Sequence, residues 1–328
     1  MQLPTLTGIE NALQRIRPYI KKTPLLRSEL LSRALASDVW LKVDTMSPIA
    51  SFKLRGAMTD ILRALDRSPL KRVITSSTGN HGQAVAYAAN LLGLQADVFL
   101  PAEANPIKAA TVRAFGAQLH LVGRDNTQAK SEAKALAAST GGHFVDDGES
   151  LDLMEGAGTL GLEIAKGLED IDTLMVPVGD APLITGAGVA LKSIQPQAQA
   201  IGVQATGAAA LADSYRLGEQ VAREVDTLAD GLASRYPADR AFAGIRSVAD
   251  QVLTVDDHQL LRAIHTLAEC AHVLVEPAGA ASLAGAWTIR EQIKGQRVVL
   301  ILSGANVTMD VLRSALNAPP LVALNDLV

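Results

Sequence analysis

The chain has 328 residues, 48% of them hydrophobic and 20% charged, with a formal net charge of −4. That content can bury one large core or two interlocked ones, and the scattered basic residues argue against nucleic acid as a partner. The single cysteine, Cys270, excludes an intramolecular disulfide and fits a cytoplasmic protein. It lies in the apolar stretch "LAECAHVLVEP" and reads as core filler. The start, "MQLPTLTGIENALQRIRPYI", carries early charges and no apolar h-region, so no signal peptide is expected. No apolar run reaches the roughly 18 residues of a membrane span.

In chain order, strands are expected at "DVWLKV" (38–43), "RVITS" (72–76), "ADVFL" (96–100), "QLHLV" (118–122), "TLMVPV" (173–178), "AIGVQ" (200–204) and "RVVLILS" (297–303). Between them lie helical stretches rich in Ala and Leu, such as "QAVAYAANLLGL" (83–94) and "TQAKSEAKALAAST" (127–140). Strands this apolar are covered on both faces, which predicts an α/β fold with parallel sheets. Closely spaced strand–helix units fill 72–146 and a second series resumes at 173, which predicts two sheets. In such folds the ligand sits beyond the carboxyl ends of the strands. The loops after 72–76, 173–178 and 297–303 are therefore where chemistry is expected.

Three stretches stand out there and just before a helix. In "SPIASFKLRGA" (47–57), Lys53 opens a helix expected to begin near Leu54. A cation is disfavoured at a helix N-terminus. Lys53 is either a solvated lysine or one held in an apolar, electropositive setting with a depressed pKa, able to form a Schiff base. In "SSTGNHGQAVAYAA" (76–89), polar and glycine residues follow a strand and open a helix. They make either an N-cap or a nest for a carboxylate or phosphate. In "LILSGANV" (300–307), Ser303 ends a buried strand. It can meet a ring nitrogen or cap the next helix.

Together these stretches resemble the fold-type II pyridoxal phosphate enzymes, within them the serine/threonine dehydratase and serine racemase branch. "SFKLRGA" is similar to that family's Schiff-base motif and "SSTGNHGQA" to its asparagine loop. "VPVGDAPLITG" (176–186) stands where the family has a glycine-rich phosphate loop. "TLADGLA" (227–233), "EPAGAASLAG" (276–285) and "LSGANV" match in type and order, so the resemblance runs from "TPLLRS" (23–28) to Val307. It implies a tryptophan synthase β-like architecture of two three-layer α/β/α domains with mainly parallel sheets. Residues 1–71 and 150–328 would form the large cofactor-binding domain, and 72–149 a small mobile one closing over the substrate. It implies pyridoxal 5'-phosphate held by Lys53, with Phe52 against the ring, Asn80 at the ring hydroxyl and Ser303 at the ring nitrogen. Gly179, Asp180, Ala181 and Leu183 would meet the phosphate. Ser77, Thr78, Gly79 and His81 would bind the substrate carboxylate. Lys53 would remove the Cα proton, and Thr78 holds the position of the racemases' second catalytic group.

The implied activity is loss of water and then ammonia from a β-hydroxy amino acid, with threonine or serine as default substrates and an aryl serine or hydroxyaspartate as variants. The alternatives are a racemase, a β-replacement enzyme or a non-catalytic binder. The β-methyl of Thr78 restricts χ1 and disfavours racemisation. A dinucleotide-binding dehydrogenase lacks its glycine fingerprint here. A homodimer is implied by the resemblance, and a chain this long is not expected to carry the family's C-terminal regulatory domain. No metal is expected. Gln204, Ala208 and Ala210 occupy the positions where relatives hold a cation, and Asp213 is expected to face solvent. Asp180 and Pro182 break the phosphate-loop pattern. Asp180 is expected to cap the next helix, to pair with Arg55, or to sit beside the phosphate and alter its protonation.

Overall fold

The computed structural model describes residues 1–77, 79–103, 106–124, 126–148 and 150–327, the side chains of 106–108, 126, 326 and 327 excepted. Its strands are β1 (Leu25–Arg27), β2 (Asp38–Val43), β3 (Arg72–Ser76), β4 (Gln95–Leu100), β5 (Gln118–Leu121), β6 (His143–Phe144), β7 (Thr173–Pro177), β8 (Gln199–Ala205), β9 (Gln251–Val255) and β10 (Arg297–Leu302). Six form a sheet in the order β1-β2-β10-β7-β8-β9, and four form a second in the order β5-β4-β3-β6. Among the described residues every pairing of these strands is parallel except β1 with β2.

This is the α/β architecture expected from the alternation of apolar runs and helical stretches. Seven strands match those runs to within a residue at each end. β1 and β6 are only 3 and 2 residues long and too short to show a period. β9 is a half-buried edge strand with a weak pattern. Cys270 packs in the cluster of the larger sheet, and burial raises its thiol pKa. Asp213 departs from expectation. Arg216 and Arg223 hold it at 2.8 and 2.6 Å, so it is bridged and not simply solvated.

Two packing features set where the functional loops end up. The helices Leu151–Gly167 and Pro182–Ile194 touch backbone to backbone. A Cβ on Gly161 would stand 2.4 Å from Ala187 Cα, and one on Gly186 would stand 2.2 Å from Met154 O. Only glycine permits that approach. It fixes the N-terminus of Pro182–Ile194 at the carboxyl end of β7. The helix Lys53–Arg67 buries Leu54, Ala57, Met58 and Ile61 against the smaller sheet. Its first turn is tied to the larger sheet, where Phe52 N–H donates to Ser303 O at 2.9 Å.

Beneath that turn lies a buried charge network. Arg55, Lys42, Asp44 and Glu163 are 1%, 0%, 0% and 8% exposed. Two cations facing two carboxylates leave no net charge inside. Arg55 grips Asp44 through Nε and Nη2, both at 2.9 Å, and Glu163 through Nη1 and Nη2 at 3.0 and 2.9 Å. Thr159 accepts its remaining N–H, from Nη1, Thr23 shares those of Nη2, and Lys42 Nζ donates to Glu163 at 2.6 Å. Burial opposes these charges. The contacts nevertheless hold Arg55 above and Asp44 below their ordinary pKa values.

Breaking one member leaves its partners charged and unpaired, which costs far more than the pair contributes net. Arg55→Met is expected to lower unfolding free energy by about 3–5 kcal/mol. Arg55→Lys should lose less, since it keeps charge but not the two-pronged fit. Urea denaturation of the three proteins checks both.

Candidate active site

The carboxyl ends of β3, β7 and β10 open onto one cleft of about 430 Å³. Every expected site residue within the described part lines it. Phe52 and Lys53 come from the first turn of their helix, and Ser303 from the end of β10. Ser77, Gly79, Asn80 and His81 come from the loop after β3, and Gly179, Asp180, Ala181 and Leu183 from the loop after β7. Thr78 lies outside the described residues.

The loop after β7 has the geometry of an anion cup. Ala181 takes a left-handed backbone, φ +65°, and caps the helix Pro182–Ile194 without any side-chain cap bond. The N–H groups of Ala181, Leu183 and Ile184 have no acceptor within the helix, as at any helix start. Pro182 has no N–H. A Cβ on Gly179 would stand 2.5 Å from Gly231 O, so the cup closes on a second loop.

The ring side of the cleft is a fixed polar wall. Asn80 Nδ2 donates to Glu276 Oε1 at 2.7 Å, and Asn80 Oδ1 accepts from Asn306 Nδ2 at 2.7 Å. A Cβ on Gly304 would stand 2.4 Å from Glu276 Oε1, and one on Gly279 would stand 2.3 Å from Gly304 O. His81 is 1% exposed. Its Nε2 donates to Val145 O at 3.3 Å. Its buried Nδ1 makes no hydrogen bond among the described residues and lies 3.8 Å from Asp147 Oδ1.

Asp147 was not anticipated, and it changes the electrostatics. Lys53 Nζ donates to both of its oxygens, at 2.7 and 2.8 Å. The lysine's setting is therefore acidic, not electropositive as the motif suggested. Burial works against a charged Asp147, but His81 and Lys53 outweigh it and hold its carboxyl down at about 2. The available signal was the "VDDG" segment (145–148) just past β6, a strand too short to notice. Glu276 and Asn306 were likewise unassigned, although both lie inside quoted motifs.

Asp180 follows neither of the two simpler expectations. It does not cap the helix, because Ala181 does. It does not pair with Arg55, whose N–H groups are spent on Asp44, Glu163, Thr23 and Thr159. Instead it lines the cleft, half-buried. Burial first, and Asp147 second, push its carboxyl pKa upward, while Lys53, a hydrogen bond from Ser234 and Lys130 act against the rise.

These residues fit pyridoxal phosphate. A primary amine, an aromatic face, a polar wall cut close by glycines, a buried imidazole and a helix N-terminus all meet in one cleft. The chain belongs to the pyridoxal-phosphate dependent enzyme family, whose model matches residues 16–304. Its architecture is that of the fold-type II dehydratase and racemase branch. It is 33% identical to an L-threo-3-hydroxyaspartate ammonia-lyase of Saccharomyces cerevisiae, over 94% of this chain and 95% of that protein. The processed threonine deaminase isoform 2 of Solanum lycopersicum superposes with a TM-score of 0.89 at 32% identity, covering 95% of this chain and 89% of that one. Maize serine racemase also gives 0.89, at 28% identity and 96% and 97% coverage.

The depressed Asp147 pKa has a stability consequence. A carboxyl whose folded pKa lies below its unfolded value stabilises the fold above the unfolded pKa. That contribution is lost as pH falls through the folded value. Asp147→Asn should cost on the order of 2 kcal/mol at neutral pH, shrinking toward zero between about pH 4 and about pH 2. Denaturation of both proteins across that range checks the sign.

Proposed function

We propose that this enzyme removes water and then ammonia from a β-hydroxy amino acid to give a 2-keto acid. The convergence of Lys53, Asn80, Ser303 and the N-terminus of Pro182–Ile194 in one cleft carries the reading. Lys53 Nζ would hold pyridoxal phosphate, Phe52 would pack on its ring, Asn80 and Ser303 would meet the ring's polar edge, and Gly179 to Leu183 its phosphate. When bound, the cofactor supplies an electron sink for charge developing at the substrate Cα.

The protein's part is orientation and proton handling. Ser77, Gly79 and His81, at the start of the helix Asn80–Leu91, where free N–H groups favour an anion, are assigned to the substrate carboxylate, together with Thr78 by its motif alone. Lys53 Nζ takes the Cα proton, and for that it must release Asp147. Once the β-hydroxyl has left as water, the unsaturated amine hydrolyses to keto acid and ammonia.

The cleft supports a neutral or aromatic side chain. Phe144, Val145, Leu228, Val307 and Val311 line it, and no arginine does so among the described residues. Lys130, which also lines it, is held by Asp146 at 2.6 Å. A second carboxylate on the substrate would therefore lack a free cation. The reading includes a large unit of 1–71 and 150–328 and a small unit of 72–149 that closes on the substrate. It also includes a cytoplasmic location, which the single cysteine fits, and a homodimer, supported by the family resemblance alone.

A panel of L-serine, L-threonine, L-threo-3-phenylserine and L-threo-3-hydroxyaspartate, scored for keto acid and for chirality, tests this. Keto acid should form from the neutral substrates with kcat/KM at least about tenfold above that for hydroxyaspartate, the cost of one unpaired buried charge. Inverted amino acid without keto acid would assign the protein as a racemase. Preference for hydroxyaspartate would overturn the side-chain argument.

A further inference from the structure

Asp180 stands in an anion cup, where a fixed negative charge would repel the ligand. The surroundings show how the conflict is resolved. Asp147 takes both contacts to Lys53 Nζ. No cation lies within ion-pair distance of Asp180 among the described residues. Gly148, in a left-handed backbone with φ +104°, brings the Asp147 segment against it. A Cβ on Gly148 would stand 3.4 Å from Asp180 Cβ. Two carboxylates thus share one ammonium, and only one of them holds it.

We infer that Asp180 is a protonated hydrogen-bond donor that completes the anion cup in place of the N–H that Pro182 lacks. This deepens the cofactor reading above and rests on it. A neutral carboxyl has an O–H to give, whereas a carboxylate can only accept. Burial and Asp147 raise its pKa in the direction this requires. A phosphate dianion entering the cup is a further like charge and raises it again. Binding of the anion and retention of the Asp180 proton are therefore linked.

The charged and titratable groups facing Asp180 are Lys53, Asp147 and Lys130, with a hydrogen bond from Ser234. His81, Asp146, Asp230 and Glu276 line the same cleft. Phosphate itself changes charge with pH, beside these groups. A ratio between wild type and a variant differing only at Asp180 cancels those contributions.

The probe is inorganic phosphate, measured by calorimetry on the full chain from about pH 5 to about pH 9 with wild type, Asp180→Asn and Asp180→Ala. Asparagine keeps a neutral donor of the same shape. The Kd ratio of wild type to Asp180→Asn should stay near one at low pH. It should then rise about tenfold per pH unit once the free Asp180 loses its proton. Asp180→Ala, with no donor, should bind about five- to tenfold more weakly than Asp180→Asn throughout. Ser234→Ala removes the donor that favours the charged form, so the rise should begin at higher pH.

Tighter binding by Asp180→Asn than by wild type even at the acid end would show a charged, repulsive Asp180 and overturn the inference. So would equal binding by Asp180→Asn and Asp180→Ala. Covalent loading of pyridoxal phosphate on the same proteins separates the two readings. Failure of wild type to load defeats the cofactor assignment, whereas a flat phosphate ratio with normal loading defeats only the role of Asp180.

Discussion

The guanidinium of Arg55 lies in the protein interior two residues beyond Lys53 on the same helix. Its N–H groups go to two carboxylates and two threonine hydroxyls, on the turn just after β2, on the helix Leu151–Gly167 and on the chain before β1. A planar fork gripped on two sides cannot rotate without losing several charge-assisted bonds together. The first turn of the helix inherits that rigidity. Phe52 is pinned to Ser303 O on the other side. Lys53 is thus aimed from a fixed base, and only its own side chain is free to move between Asp147 and a ligand. The network is best seen as specifying geometry, because desolvation offsets much of what buried ion pairs contribute to stability.

From that base the cleft divides its charges unequally. Asp147 has two contacts to Lys53 with His81 behind it, and stays ionised. Asp180 has Ser234 and a like charge nearby, and is pushed toward its neutral form. Pairs of titratable groups driven apart by their environments are what active sites use to separate roles. The departure of "GDAPL" from a glycine-rich loop then has a consistent shape. Ala181 accepts a left-handed backbone that glycine would take more easily, Pro182 starts the helix without an N–H, and a protonated side chain supplies the missing donor.

The fold was legible because buried parallel strands are uniformly apolar and the helices between them are rich in Ala and Leu. β1 and β6 were missed because strands of two or three residues carry no period. The site residues placed by motif all reached the cleft, Thr78 aside. What the linear chain concealed was the partnership of distant charges. Nothing local to "SFKLRGA" says that Lys53 meets Asp147, which is 94 residues away and brought there by the return of β6 beside β3. Nothing local to Arg55 says that it is consumed by Asp44 and Glu163. Arg55, the partner that Asp180 has within the linear motifs, is thus already committed elsewhere by the packing.

The central claim is that this geometry singles out Lys53, among the lysines of the cleft, as the group that holds the cofactor. Its direct measurement is peptide mass mapping after loading with pyridoxal phosphate and reduction with borohydride. The account predicts a single stable adduct on the peptide bearing Lys53, and none on Lys130, which lines the same cleft but is held by Asp146. An adduct on Lys130, or loading with no adduct on Lys53, would contradict it.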